Sequence, residues 1–188
     1  MATEQLEGFP LSPQQRRLWL LQNEERTFAA RAAVSLEGPL RVELLQAAIG
    51  EVAGRHEILR TKFYRIAGAK FPVQVIAERP ALVLEQHDLS SLGSLERERA
   101  LDAHLHVTGH LPAEAARETT VHAALLKLSE QSHLLLLSVP ALCADALSLA
   151  NITREIGQRY GALLGGALAA GAAGADEPLQ YADLAEAL

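Results

Sequence analysis

Ser138-Val139-Pro140-Ala141-Leu142-Cys143-Ala144-Asp145-Ala146-Leu147-Ser148 marks a change of period in the chain. Before it, the mostly apolar run 133–139 reads as a buried strand. After it, Leu149, Ile152, Ile156, Tyr160 and Leu163 recur at helical spacing. The stretch is therefore a strand-to-helix turn. It holds a proline, the chain's single cysteine and an acid. Packed elements on both sides fix such a turn, which suits it to carry functional side chains.

Upstream, 119–128 and 132–139 form a hairpin through the polar Ser129-Glu130-Gln131. Further strands are expected at 30–36, closed by Gly38-Pro39, and at 60–64, 71–76 and 82–88. The first helix opens at Ser12-Pro13-Gln14-Gln15 and runs to about residue 25. Ser12 can cap it, Pro13 suits its first position, and Gln15 can close a capping box. Val42, Leu45, Ile49 and Val52 predict an amphipathic helix over 41–54. Another is expected from 94 to about 109, with Leu95, Leu101 and Leu105 inward. Residues 1–164 then form one unit, 165–177 an Ala/Gly-rich linker, and 178–188 the start of a bridging helix. This order of elements predicts an α/β fold with a mixed sheet flanked by helices.

Of 188 residues, 49% are apolar but only 4% aromatic, so leucine, alanine and valine must build the core. The net charge is −6 without a basic cluster, which argues against a nucleic-acid footprint. One cysteine excludes an internal disulfide and a cysteine metal cage, and suits a reducing cytoplasm. No apolar run approaches membrane-spanning length. No phosphate-cradling Gly-x-x-x-x-Gly-Lys pattern occurs.

Three stretches resemble the condensation domains of nonribosomal peptide synthetases. Ser12-Pro13-Gln14-Gln15-Arg16-Arg17-Leu18-Trp19 is similar to the first motif, Ser-x-Ala-Gln-x-Arg-Leu-Trp, with Gln14 in place of Ala. Arg55-His56-Glu57-Ile58-Leu59-Arg60-Thr61-Lys62-Phe63 matches the second, Arg-His-Glu-x-Leu-Arg-Thr-x-Phe, at every defined position. Gln180-Tyr181-Ala182-Asp183 resembles the segment leading out of the family's N-terminal lobe. The resemblance implies the N-terminal lobe of a chloramphenicol-acetyltransferase-like sandwich. Its cleft would lie against a C-terminal lobe and admit the phosphopantetheine arms of carrier proteins as substrates. No cofactor or metal is expected to bind directly.

The family's third motif, His-His-x-x-x-Asp-Gly, falls on the opening turn. Aligned on the acid, its two histidines fall on Pro140 and Ala141, the Asp on Asp145 and the Gly on Ala146. The second histidine is the one credited with catalysis, and a methyl group has no acid–base capacity. The heterocyclisation subfamily, with Asp-x-x-x-x-Asp-x-x-Ser, is the next closest. Asp145 and Ser148 keep its second Asp and its Ser, while Pro140 replaces the first Asp.

Asp145 and Ser148 are the catalytic candidates. The commoner reading of Asp145 is a helix N-cap, and the resemblance adds an ion pair with Arg60 that fixes the turn. Arg17, Trp19, Arg55, His56, Arg60 and Pro140 are assigned structural motif roles. Cys143 reads as a buried, inert thiol. His106 and His110 lie one helical turn apart but lack a third ligand, so a solvated face is expected. His122 and His133 sit in or beside strands, where a satisfied polar contact is the default.

Three functions follow. The first is a condensation-like platform for carrier proteins or a tailoring enzyme, inactive in standard amide formation. The second is an atypical condensation or heterocyclisation domain that relies on positioning. The third is a free half that assembles with a separate C-terminal lobe. A half cleft also exposes apolar surface, so self-association is expected.

Overall fold

The computed structural model describes residues 8–22, 28–107, 121–166 and 179–187. In chain order the elements are α1 (Pro13–Leu21), β1 (Ala29–Glu37), α2 (Val42–Arg55), a 3-10 turn (Glu57–Arg60), β2 (Thr61–Tyr64), β3 (Val73–Ile76), β4 (Leu82–Asp88), α3 (Ser94–Val107), β5 (Val121–Ser129), β6 (Ser132–Pro140), α4 (Ala146–Leu164) and α5 (Tyr181–Ala187). Four strands form one sheet in the order β1-β6-β5-β4. Only the β4–β5 pair is parallel, so the sheet is mixed. β2 and β3 make a separate antiparallel ribbon, which Phe9 joins through a bridge to Gln74.

The continuous apolar runs of β5 and β6 follow from their central place, where both faces are covered. On one face Val121, Ala123, Leu125, Leu135, Leu137 and Val139 pack with Leu45, Ile49 and Val52 of α2 and Leu149 and Ile156 of α4. On the other, Ala124, Leu126 and Leu136 meet Leu89, Leu92, Ala100 and Leu101. Each buried leucine contributes about 1.5–3 kcal/mol of transfer free energy, so this leucine-rich core needs few aromatics. β1 sits at an edge. Its Ala30, Ala32, Val34 and Leu36 face the core, while Arg31, Ala33 and Ser35 alternate into solvent.

Four expectations need correction. α1 stops at Leu21, because Gln22 is extended (φ −85°, ψ 148°). Residues 23–25 of the expected helix lie outside the described residues. Arg60 closes the 3-10 turn rather than opening a strand. The ribbon strand begins at Val73, not residue 71. On α3 only Leu101 packs inward, and Leu95 and Leu105 are 59% and 40% exposed. Leu95 lies six residues from Leu101, roughly 240° around the helix, and so faces away from the sheet. The tract 167–178, most of the expected linker, also lies outside the described residues, as do residues 108–120.

β6 ends where Pro140 removes a ladder donor. The Pro140 carbonyl then accepts from the N–H groups of Cys143 (2.7 Å) and Ala144 (3.2 Å), closing a tight turn. Gln180 and Tyr181, at the start of α5, return to this end of the molecule. Gln180 Oε1 accepts from the Glu57 N–H at 3.0 Å, and the Tyr181 hydroxyl lies 2.7 Å from Ser12 Oγ.

Candidate functional site

The turn borders an open groove of about 310 Å³, walled by α1, the first half of α4, the 3-10 turn and Tyr181. Ala141 lines it, and its N–H is taken by the Phe28 carbonyl at 2.8 Å. The position aligned with the second histidine thus faces the groove, and its side chain is a methyl.

Asp145, Ser148, Asn151, Ile152 and Glu155 line the groove from one side of α4, at the one-, three- and four-residue spacings of a helix face. Asp145 is the N-cap: its Oδ1 accepts from the Ser148 N–H at 2.7 Å. Hydrogen bonds from Ser148, the backbone N–H foremost, hold the Asp145 carboxyl below the usual carboxylate range. The pair with Arg60 does not form. Arg60 instead donates to the carbonyls of Gly54 and Ala77 and pairs with Glu57 Oε1 at 3.3 Å. Those carbonyls converge on the guanidinium only through the fold, and the N-terminus of α4 already satisfies Asp145. The arginine therefore stitches α2 to the ribbon rather than fixing the turn.

Cys143 is buried, and burial alone pushes its thiol well above the ordinary value. The thiolate, the nucleophilic form, is therefore disfavoured.

The turn is held from below by Gln15, which is 1% exposed. Its Nε2 donates to the Leu142 carbonyl at 3.0 Å and to Gln74 Oε1 at 2.9 Å. Its Oε1 accepts from the Ser12 N–H at 2.9 Å, and its own N–H reaches Ser12 Oγ at 3.2 Å. Both arms of the expected capping box are present, and the same glutamine also clamps the turn. Of the three stretches that carry the family resemblance, the third thus joins the first through Tyr181 and Ser12 and the second through Gln180 and Glu57.

His56 lines the groove as well, with Nε2 2.7 Å from Glu155 Oε2; Arg55 reaches Glu155 Oε1 at 3.3 Å. The periodic polar face of α4 was a signal for Asn151 and Glu155. Nothing in the sequence joined Glu155 to a histidine 99 positions earlier. Pro140 shapes the turn, and Trp19 lies under the Arg65 guanidinium, 5.4 Å from the ring centroid. Arg17 is exposed and makes no ion pair among the described residues. His122 and His133 do not line the groove, and His122 Nε2 and His133 Nδ1 are buried without a hydrogen-bond partner, against the expected satisfied contacts. His106 is exposed, and His110 lies outside the described residues. Among the described residues no group of three His, Cys, Asp or Glu could hold a metal, and no helix is long and apolar enough to cross a membrane.

The family model described as "Condensation domain" matches residues 5–187. Chondramide synthase cmdD of Chondromyces crocatus is 36% identical over 177 residues, 93% of this chain and 4% of that protein. The crystal structure of the X-domain from teicoplanin biosynthesis is similar with a TM-score of 0.78 and 32% identity, over 98% of this chain and 38% of that one. In the structure of the X-domain complexed with OxyB, the TM-score is 0.73, with the same identity and the same coverage of both chains. The chain therefore spans well under half the length of these relatives.

Proposed function

Because this chain belongs to the condensation-domain family of nonribosomal peptide synthetases, we propose that it is the N-terminal lobe of a condensation-like domain that has given up standard amide formation. In this reading it serves peptide natural-product assembly as a platform for carrier proteins or a tailoring enzyme. Phosphopantetheine arms enter beside the groove, a C-terminal lobe completes it, and the assembly works in the cytoplasm.

One observation carries the reading: the groove-facing residue at the histidine position is Ala141. Its methyl can neither accept a proton from an amine nor hydrogen-bond one, and acid–base assistance of that kind is generally worth roughly 10²–10⁴-fold in rate. The remaining polar groups of the turn are engaged structurally. Asp145 caps α4, and the Cys143 thiol is buried. The scaffold is nevertheless kept in detail, from the capping box to the Gln180-Tyr181 return. Retention of the frame without the imidazole favours docking over turnover. Likeness to an X-domain that has been solved in complex with OxyB supports recruitment of a second enzyme.

The test is single-turnover amide formation between donor-loaded and acceptor-loaded carriers, in the full polypeptide that contains this lobe. Wild type and Ala141→His are both expected to stay at the rate of spontaneous aminolysis, while carrier binding is retained. Turnover by wild type above that background, or absence of carrier binding, overturns the proposal.

A further inference from the structure

Among the described residues one imidazole, that of His56, lines the groove. His56 Nε2 and Glu155 Oε2 are 2.7 Å apart, and a carboxylate can only accept, so Nε2 carries the hydrogen. In the neutral ring the lone pair is then on Nδ1. Among the described residues no hydrogen bond is made by Nδ1, and it is not one of the buried polar atoms left without a partner. The side chain is 26% exposed and lines the groove. The ring cannot turn freely, because Glu155 is itself held by Arg55 at 3.3 Å. This is an acceptor fixed in direction before any ligand arrives, which lowers the ordering cost of using it.

We infer that His56, oriented by Glu155, is the groove's acceptor for an ammonium group on a ligand. The lining supports a cationic donor over an anionic one: among the described residues it holds Asp145 and Glu155 and no lysine or arginine, the Arg55 guanidinium reaching Glu155 from outside it. No proton need move: an ammonium N–H donates to Nδ1 while the hydrogen on Nε2 stays there, donated to the Glu155 carboxylate. The inference rests on the platform reading only in taking the groove as the place where a carrier-borne group is presented. It assigns His56 a positioning role for that group.

The experiment uses the full chain, with leucinamide and N-acetyl-leucinamide as probes followed by chemical-shift titration. Wild type is expected to bind the free amine about tenfold or more tightly than the acetylated compound, in keeping with a charge-assisted hydrogen bond. His56→Phe and His56→Leu, which keep bulk but offer no acceptor, should bring the two affinities together. Glu155→Gln should reduce the difference while the chain still melts cooperatively. Equal affinities in wild type, no measurable binding of the amine, or selectivity that survives in both His56 variants overturns the inference. Amide formation is not read, so this result and the platform test fail independently.

Discussion

Replacing Gln15 by leucine keeps volume and helix propensity but removes the clamp under the turn. Three partners are then stranded: the Ser12 N–H, Gln74 Oε1 and the Leu142 carbonyl. Ser12, Gln74 and Leu142 are buried at 2%, 1% and 6% exposure, so water cannot readily replace the lost bonds. An orphaned buried polar group costs about 1–3 kcal/mol. With partial relaxation the expected loss is about 3 kcal/mol, a large share of the 5–15 kcal/mol typical of a domain. Denaturant unfolding reads that loss as a lowered midpoint at unchanged slope. A second measurement localises it. Cys143 follows Leu142 directly and is only 7% exposed at the edge of the groove, so its reaction with a bulky thiol reagent is slow in the closed turn and speeds up when the turn opens. Its labelling under native conditions should quicken by roughly tenfold or more in the variant, as a local loosening of about 1.4 kcal/mol requires. Gln14→Ala, at an exposed neighbouring position, should change neither readout. If Gln15→Leu unfolds at the wild-type midpoint with Cys143 equally protected, the clamp is not what holds the turn.

Asp145→Ala removes the cap of α4 and should cost about 1 kcal/mol in unfolding free energy. The Asp145 carboxyl is held below its ordinary pKa, so its contribution is present above the usual carboxylate value and fades as pH falls through and below it; the variant should show a flatter acid limb in melting-temperature profiles. Burial, and then His87 at a 4.3 Å ring separation, lowers the pKa of His104, so the folded protein disfavours the charged ring. Stability from that site is full above the ordinary imidazole pKa and is lost as pH drops below it, and His104→Leu should abolish this part of the pH dependence of melting. Gly38 has φ +101° and donates to the Gln131 carbonyl at 2.8 Å, so Gly38→Ala should lower stability by roughly 1–2 kcal/mol on thermal unfolding.

Much of the scaffold could be read from local pattern because local pattern caused it. The unbroken leucines of β6 are the mark of a strand covered on both faces, and Ser12 with Gln15 made a box whose two bonds span three residues. What escaped was set by distance in sequence. Arg60 was paired with Asp145 on a family expectation, but the groups that reach it first are carbonyls from α2 and the segment after β3. The end of α1 was overrun because Gln22 to Glu25 are all compatible with a helix, and propensity alone does not mark a stop. The contact of Glu155 with His56 depends on how α4 lies across the end of α2. The alanine in the groove was legible only against a family motif, since by itself an alanine after a proline says nothing about chemistry.

The return of Gln180 and Tyr181 has a practical reading for anyone recombining condensation domains. A junction cut just after α4 would leave Ser12 and the Glu57 amide without the partners supplied by residues 180 and 181. A fusion point beyond Ala187 would carry both partners along. The natural seam for grafting this unit therefore lies after the short last helix, even though the glycine-rich tract before it looks like the easier place to cut.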